Sequence, residues 1–572
     1  MDELHRAARR GDVSRLRELL APAAGGGVDT FDSAGRTPLM YAVGFAGVEA
    51  VKLLLAAGAS VHQESQKSNE AGEPVLSFAV SGGDPEVVRV LIEAGADVKY
   101  ERNGYDALID SVHGRDVYRD PRLLDLLQLL VTHGASIDGV TSYNESVLRV
   151  LSRKGRFDAI QLLLEVGANE SLLSWTPLIK AVALGTLADV ARSIDQGAAL
   201  EGRDYWERTA WLVAVLIGDI AKAQLLLDKG ADRNAVGRCS RPTLFYAIQT
   251  RQIAMLRWLL SLGLDVEQTD EFGMTPLMEA AEHNEVEALK LLIAHGAEVE
   301  RKRSHDQTAL SYCRRAGTAR VLLAAGDDPA KLTSDAKRDL LNLSMRPNDE
   351  YPCITAEDFK AGQNRRFGTG NPEEIHEPFW LAMIRCGFGA YKGPKLCTES
   401  NVPIQNPVWC AERFGQSLTF LPDGRAIQIG GEHEDFYDED FCIYNDVFVH
   451  HPDGTIRIFA YPESVFPCTD FHTATLLEDA IWIIGALGYG STRKYGATPV
   501  YALNIHTYRM REITTSGAAP GWIHKHRATL SGHEIRITSG IIASKREQGE
   551  THEANEKVFV LDVQSLKWRQ ES

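Results

Sequence analysis

Residues 275–300, TPLMEAAEHNEVEALKLLIAHGAEVE, decide how most of this chain is built. Thr275-Pro276-Leu277 opens a short helix, with Pro276 in the first turn, where its missing N–H costs nothing. Ala280 and Ala281 leave room for a neighbour. Val286, Leu289, Leu291, Leu292 and Ile293 give a second helix its apolar stripe, and Gly296 ends it where a left-handed residue is wanted. Two helices this short cannot bury that stripe alone, so they must stack on copies of themselves.

The copies are present. The terminating glycine recurs at Gly58, Gly95, Gly134, Gly167, Gly197, Gly230, Gly263, Gly296 and Gly326, and subtracting successive numbers gives steps of 37, 39, 33, 30, 33, 33, 33 and 30. Thr37-Pro38-Leu39 and Thr176-Pro177-Leu178 repeat the opener. Spacing, opener and terminator together resemble the ankyrin repeat, whose period is about 33 residues, although Met40, Lys180 and Met278 stand at the usual His position. The resemblance implies helix pairs near 37–57, 74–94, 105–133, 146–166, 176–196, 209–229, 242–262, 275–295 and 307–325. Residues 1–20, with Arg9, Arg10 and Arg17 on a polar outer face, form a capping pair, which makes about ten units. It also implies recognition of proteins rather than chemistry.

Ankyrin proteins bind through hairpin tips and inner helices, and the tip positions ahead of the openers hold Arg36, Trp175, Trp206, Arg208, Arg241, Phe272 and Met274. Arg and aromatic side chains make good anchors because they bury much area with few rotors. The competing reading is that Trp175 and Phe272 pack between neighbouring repeats. Insertions at 65–73 and 113–121 lengthen two units, and such insertions map to loops.

A chain of 572 residues exceeds one core, and length alone suggests about three to four domains. The net charge of −17 divides into about −10 for residues 1–330 and about −7 for the rest, so the acidity is distributed. Nucleic acid and anionic membrane are poor partners for such a chain, and a basic protein is the better electrostatic match. Residues 1–20 lack the features of a secretory signal, and no apolar run reaches membrane-spanning length, so a cytoplasmic protein is expected. The eight cysteines include no Cys-x-x-Cys pair and read as reduced thiols; no metal, cofactor or catalytic residue is expected.

The repeat stops after Pro329, and residues 331–412 read as a helical and irregular connector. Asn371-Pro372-Glu373-Glu374 looks like a helix start, with Pro378 as a second candidate for that boundary. From Arg413 the apolar pattern alternates between Gly, Pro and Asp turns, as antiparallel strands require. Residues 416–420, 472–476 and 526–530 align without gaps, second strands follow at 426–429, 481–485 and 535–540, and third strands at 446–449, 499–504 and 557–562. With Gly430-Gly431 and Trp568, this resembles the Kelch repeat, one four-stranded propeller blade per unit. The fold expected is therefore an α solenoid of ankyrin repeats (1–330) followed by an all-β Kelch-like region of about three four-stranded blades (413–572). Closed propellers typically take four to eight blades, so both edges of this region need cover. Residues 388–412, the solenoid or a second copy of the chain are the candidates, and Val402–Trp409 is a candidate extra strand.

The densest polar cluster is Glu432, His433, Glu434, Asp435, Asp438, Glu439 and Asp440, after the double glycine, on the face where Kelch-like propellers bind ligands. Its spacing matches no EF-hand or zinc-hydrolase motif; a solvated acidic loop is the simplest reading, ahead of an acidic recognition loop for a basic partner and of a Ca²⁺ site. His472 and His526 occupy equivalent repeat positions and are framework candidates before catalytic ones. The functional expectation is non-enzymatic protein binding through both regions. An immunity or inhibitor protein against a basic toxin is one alternative; an enzyme or cation binder using residues 432–440 is another.

Overall fold

The computed structural model describes residues 3–21, 27–45, 47–66, 72–113, 120–343, 354–389, 393, 396, 409–433, 442–547 and 549–571. These form two compact units, Met1–Glu298 and Val299–Ser572.

The first unit is helical. Its described residues hold nine antiparallel helix pairs, from Glu3–Arg10 with Val13–Leu19 to Pro276–Glu282 with Val286–Ala294. The openers act as N-caps: Thr176, Thr209 and Thr275 accept from the backbone N–H of Ile179, Leu212 and Met278 at 3.1, 3.4 and 3.2 Å. Gly296 adopts φ +91°, the left-handed turn the terminator was expected to supply. The inner helices stack in sequence, so Ala210–Ile217 is nearly all buried, Trp211 included.

That stack has one break. Helix Val147–Arg153 does not seat directly on the next inner helix, Pro177–Leu184, as the others do. The 3-10 turn Glu170–Leu173 packs on the former and the outer helix Phe157–Glu165 on the latter. The break coincides with the shortened step between Gly167 and Gly197.

In the second unit the last repeat is abbreviated, its first helix reduced to the 3-10 turn Ala309–Tyr312 before helix Ala316–Ala324. Helix Ser334–Leu340 follows. In the connector, the expected helix start at 371–374 is a strand instead: Glu373–Ile375 pairs antiparallel with Ile456–Ala460. The helix begins at Pro378, which sits in its first turn, because Pro378 cannot continue a helix begun earlier. Most of the candidate strand 402–409 lies outside the described residues; Trp409, at its end, is buried against Trp380 with the rings 4.5 Å apart and nearly parallel.

Three antiparallel sheets follow, each built on a four-strand meander. The first comprises Ser417–Phe420, Ala426–Ile429, Val447–His450 and Ile456–Ala460, extended at its outer edge by Glu373–Ile375. The second comprises Thr473–Leu477, Ala480–Ile484, Val500–Asn504 and Met510–Glu512. The third comprises Arg527–Ser531, Glu534–Thr538, Val558–Asp562 and Lys567–Glu571, with Ser516-Gly517 pairing parallel outside it. A hairpin, Ile541–Arg546 with Gly549–Ala554, interrupts the third meander and takes Trp522–His524 as its third strand. Among the described residues the sheets form no closed barrel or propeller.

The period-two alternation sends successive side chains to opposite faces, and each face finds a separate core. Phe448 and Ile458 of the first sheet meet Phe359, Phe379, Trp380 and Trp409 of the connector. Val447, Val449 and Phe459 meet Ile481, Ile483 and Leu503 of the second sheet. Trp482, Ile484 and Val500 meet Ile535, Ile537, Phe559 and Leu561 of the third. The outer face of the third sheet is charged, with Arg569 paired to Glu534 and Arg536 to Glu571 at 2.6 and 2.7 Å. The inner strand of the second sheet touches those of its two neighbours.

Candidate functional site

The tip residues divide by what they touch. At the stacking break, the tip 204–208 folds back onto helix Val147–Arg153, which lies much earlier in the chain. Trp206 Nε1 donates to the Arg149 carbonyl at 2.8 Å, Tyr205 OH to the Asn144 carbonyl at 3.2 Å, and Arg208 Nη1 to the Ser152 carbonyl at 2.8 Å. Arg208 is fully buried and spends its Nε on Asp204 at 2.9 Å. Gln249 Nε2 donates to the Arg153 carbonyl at 3.1 Å. Arg208 is therefore part of an internal clasp rather than an exposed anchor. Met274, also buried, turns into the stack while its N–H donates to Asp270 at 2.9 Å.

The other tip residues keep surface. Phe272 is 56% exposed. Trp175 is half-buried against Phe157, with ring centroids 6.1 Å apart. The Arg36 guanidinium lies 4.9 Å from the Phe78 ring centre. Arg241 is half-buried and ion-paired with Glu279. Burial alone would raise the Glu279 carboxyl, but His283 and Arg241 hold it below its ordinary value. Trp206 is half-buried, with Arg153 and Arg238 over its ring at 5.0 and 4.8 Å. Sequence reasoning did not single out Tyr143, which is 78% exposed at the tip before helix Val147–Arg153. Its signal was available in the period: Tyr143 precedes its opener at the same hairpin position as Phe272 does.

In the second unit, the cluster at 432–440 begins inside the protein. Glu432 forms antiparallel bridges to Phe414 and Ile443, and both Glu432 and His433 are buried, so these two are not in a solvated loop. Glu434, Asp435, Asp438, Glu439 and Asp440 lie outside the described residues. Burial, followed by the charge of nearby Asp470, pushes the Glu432 carboxyl up to about 7. Asp470 is itself raised by burial, although its Oδ1 accepts the Gly488 N–H at 2.6 Å. Two carboxyls this close cannot both carry charge without cost, so the pair holds a proton well above the ordinary carboxylate range. Asp470 was not foreseen, because it stands far from Glu432 in the chain and arrives from the next sheet's leading loop.

His472 and His526 join neighbouring sheets. His472 Nε2 meets Ser417 Oγ at 2.8 Å, and His526 Nε2 meets Thr473 Oγ1 at 2.9 Å. Burial lowers both imidazoles to about 3, so they stay neutral and structural at pH 7. Among the described residues, no group of three His, Cys, Asp or Glu side chains is placed to hold a metal ion, and no helix is long and apolar enough to cross a membrane.

The family model described as ankyrin repeats in three copies matches residues 3–65 and 244–332. Those two stretches carry the ankyrin match, and the helix pairs between them have the same form. No curated protein matches the chain. The ankyrin match spans the first two helix pairs and the last three units, flanking the stretch that contains the stacking break. Ankyrin repeats are generally protein–protein interaction modules; Phe272, inside the matched residues, and Tyr143, outside them, are the exposed aromatics at hairpin tips.

Proposed function

We propose that this protein is a non-enzymatic recognition module that binds a protein partner through its ankyrin tips and inner helices. The observation that carries the reading is the exposure of large aromatic groups at the hairpin tips, Tyr143 at 78% and Phe272 at 56%; of the helical unit's other described aromatics only Phe45, at a helix end, is comparably exposed. Rigid aromatics held out of the core on repeated tips are what a binding surface requires, since they bury area at small entropic cost.

The same reading divides the chain into an ankyrin segment (1–330), a connector (331–412) and a Kelch-like segment (413–572). The recurrence of the four-strand meander, and the equivalence of Gln416, His472 and His526, support the Kelch-like assignment. The Kelch-like segment supplies a second recognition region, in which the acidic sequence at 434–440 would meet a basic partner.

Site-specific photo-crosslinking in native lysate tests the proposal. A crosslinking amino acid at Tyr143 or Phe272 is expected to capture one defined protein, while the same group at Leu187, exposed on an outer helix, captures none. Equal capture from all three positions, or from none, refutes it.

A further inference from the structure

Around the stacking break, aromatic and guanidinium groups alternate. Arg149 lies over the Tyr205 ring at 3.9 Å, Arg238 over both Tyr205 and Trp206 at 4.8 Å each, and Arg153 over Trp206 at 5.0 Å. Backbone acceptors fix the framework: Arg149 Nε donates to the Leu172 carbonyl at 2.8 Å, and Trp206 donates to the Arg149 carbonyl. Stacking on an aromatic face holds a guanidinium plane still while leaving its N–H edge for a planar acceptor.

The charge there runs against that of the chain. Arg149, Arg153, Lys154, Arg203, Arg208 and Arg238 face three carboxylates of the same segments, Glu145, Asp204 and Glu207, and Asp204 is consumed internally by Arg208. Within these segments the cations outnumber the anions six to three, an excess tempered by Glu271 and Asp270 of the next tip beside Cys239, in a protein of −17. The two exposed guanidiniums are held differently. Glu145, 18% exposed and also 3.3 Å from His113, stays with Arg153 at 3.0 Å, while the Arg153 side chain is 41% exposed; Arg238 Nη2 donates to the Tyr205 carbonyl at 2.5 Å, and Glu207 stands 3.7 Å away, beyond hydrogen-bond length, with both side chains more than a third exposed. An exposed pair such as Arg238–Glu207 contributes about 0–1 kcal/mol, so an incoming carboxylate displaces it at little cost.

We infer that this surface, formed by Arg153, Arg238, Tyr205 and Trp206 with Tyr143 at its rim, docks an acidic peptide segment of a partner protein. The Arg forks donate to Asp or Glu side chains in the bidentate geometry that guanidinium favours, and exposed Tyr143 offers an apolar contact beside them. Nucleic acid is the less favoured polyanion. It would have to approach a chain of net −17, whereas a short acidic segment meets only the local excess. The inference rests on the recognition reading above and narrows it to one partner chemistry.

The test is binding of a fluorescein-labelled poly-glutamate peptide to the full chain, with labelled oligo-thymidine in parallel. Wild type is expected to bind the peptide more tightly than the oligonucleotide, with affinity falling as salt rises. Arg153→Glu/Arg238→Glu is expected to weaken peptide binding at least tenfold. Arg153→Gln/Arg238→Gln removes the charge with less local repulsion and is expected to give most of that loss with an unchanged melting temperature. Arg192→Glu, on an exposed outer helix, leaves binding as in wild type. Absence of peptide binding, tighter binding of oligo-thymidine, or equal peptide affinity in wild type and the Gln variant overturns the inference. If the peptide result fails while Tyr143 and Phe272 still crosslink a protein, the recognition reading stands and only the acidic chemistry falls.

Discussion

Replacing Arg208 with Met tests whether the tip 204–208 acts as a clasp on helix Val147–Arg153. Arg208 and Asp204 side chains are each 1% exposed, and the guanidinium also reaches the Ser152 carbonyl at 2.8 Å. A methionine side chain there would fill much of the volume but leave the Asp204 carboxylate without its counter-ion, held only by the backbone N–H groups of residues 206 and 208, and take one donor from the Ser152 carbonyl, which still accepts from Gly155 N–H at 3.2 Å. Removing one partner of a buried pair costs about 3–5 kcal/mol, because the surviving charge stays desolvated. In a solenoid this cost is felt locally, since each repeat contacts only its neighbours. Hydrogen exchange by mass spectrometry is therefore a better readout than a melting temperature. At about 1.4 kcal/mol per decade, protection is expected to fall by about 10²-fold to 10⁴-fold. The fall should appear together in 144–153 and 204–212, segments joined by the clasp, while 276–294 exchanges as in wild type. Adding Asp204→Asn to Arg208→Met removes the stranded charge and should restore part of the protection. Faster exchange confined to 204–212 would refute the clasp.

Two further outcomes follow from the second unit. Glu432 has a folded value of about 7, above its ordinary range, so it stabilises the fold while protonated, and that contribution is lost as pH rises from about 4.5 through 7. His472 and His526, lowered to about 3, act in the opposite sense and destabilise as pH falls below about 6.5. Glu432→Gln, which imitates the protonated acid, should abolish the loss of melting temperature toward pH 7 and leave the acid-side loss intact; matching pH profiles for variant and wild type would rule out the shared proton. A fragment of residues 299–572 should fold, whereas 413–572 should aggregate, because the latter strips Phe359, Phe379, Trp380 and Trp409 from the first sheet and leaves Arg527 without Glu300. Near-ultraviolet dichroism and size-exclusion chromatography distinguish the two, and a monomeric, folded 413–572 would contradict the role given to the connector.

The repeat period was readable because the units end on a regularly spaced Gly and three of them open on Thr-Pro-Leu. The break was also written there, as the shortened step from Gly167 to Gly197, but a shortened step does not say which neighbour a tip will meet. Trp206 and Arg208 looked like anchors because residue type favours anchoring; the structure uses the same properties, area and donors, to bind Arg149 and Ser152. Glu432 looked solvated because its sequence neighbours are acidic. Its backbone, however, bridges Phe414 on one side and Ile443 on the other, which carries it inside. The hairpin 541–554 falls between the second and third strands of the last unit, where the described residues of the other two units hold no strand pair, so the repeat offered no template for it.

The three meanders raise a question of termination that the two ends answer differently. At the first sheet, Phe448 and Ile458 need apolar cover, and the connector helix Pro378–Cys386 with Trp409 provides it within the same unit. At the third sheet no such cover is required: the strand faces that would meet a fourth sheet carry Arg536, Arg569, Glu534 and Glu571, which pair with one another across the strands. A charged, ion-paired face is soluble by itself, as is the polar outer face of a terminal solenoid repeat. Its inner strand holds Arg527 where the preceding sheets hold Ser417 and Thr473, the groups that receive His472 and His526 from the next sheet. At the third sheet that position takes an arginine, and its partner is Glu300 beside the abbreviated last repeat. Among the described residues the sheets thus differ in chemistry at their two ends: apolar cover from the connector at the first, and ion pairs at the third.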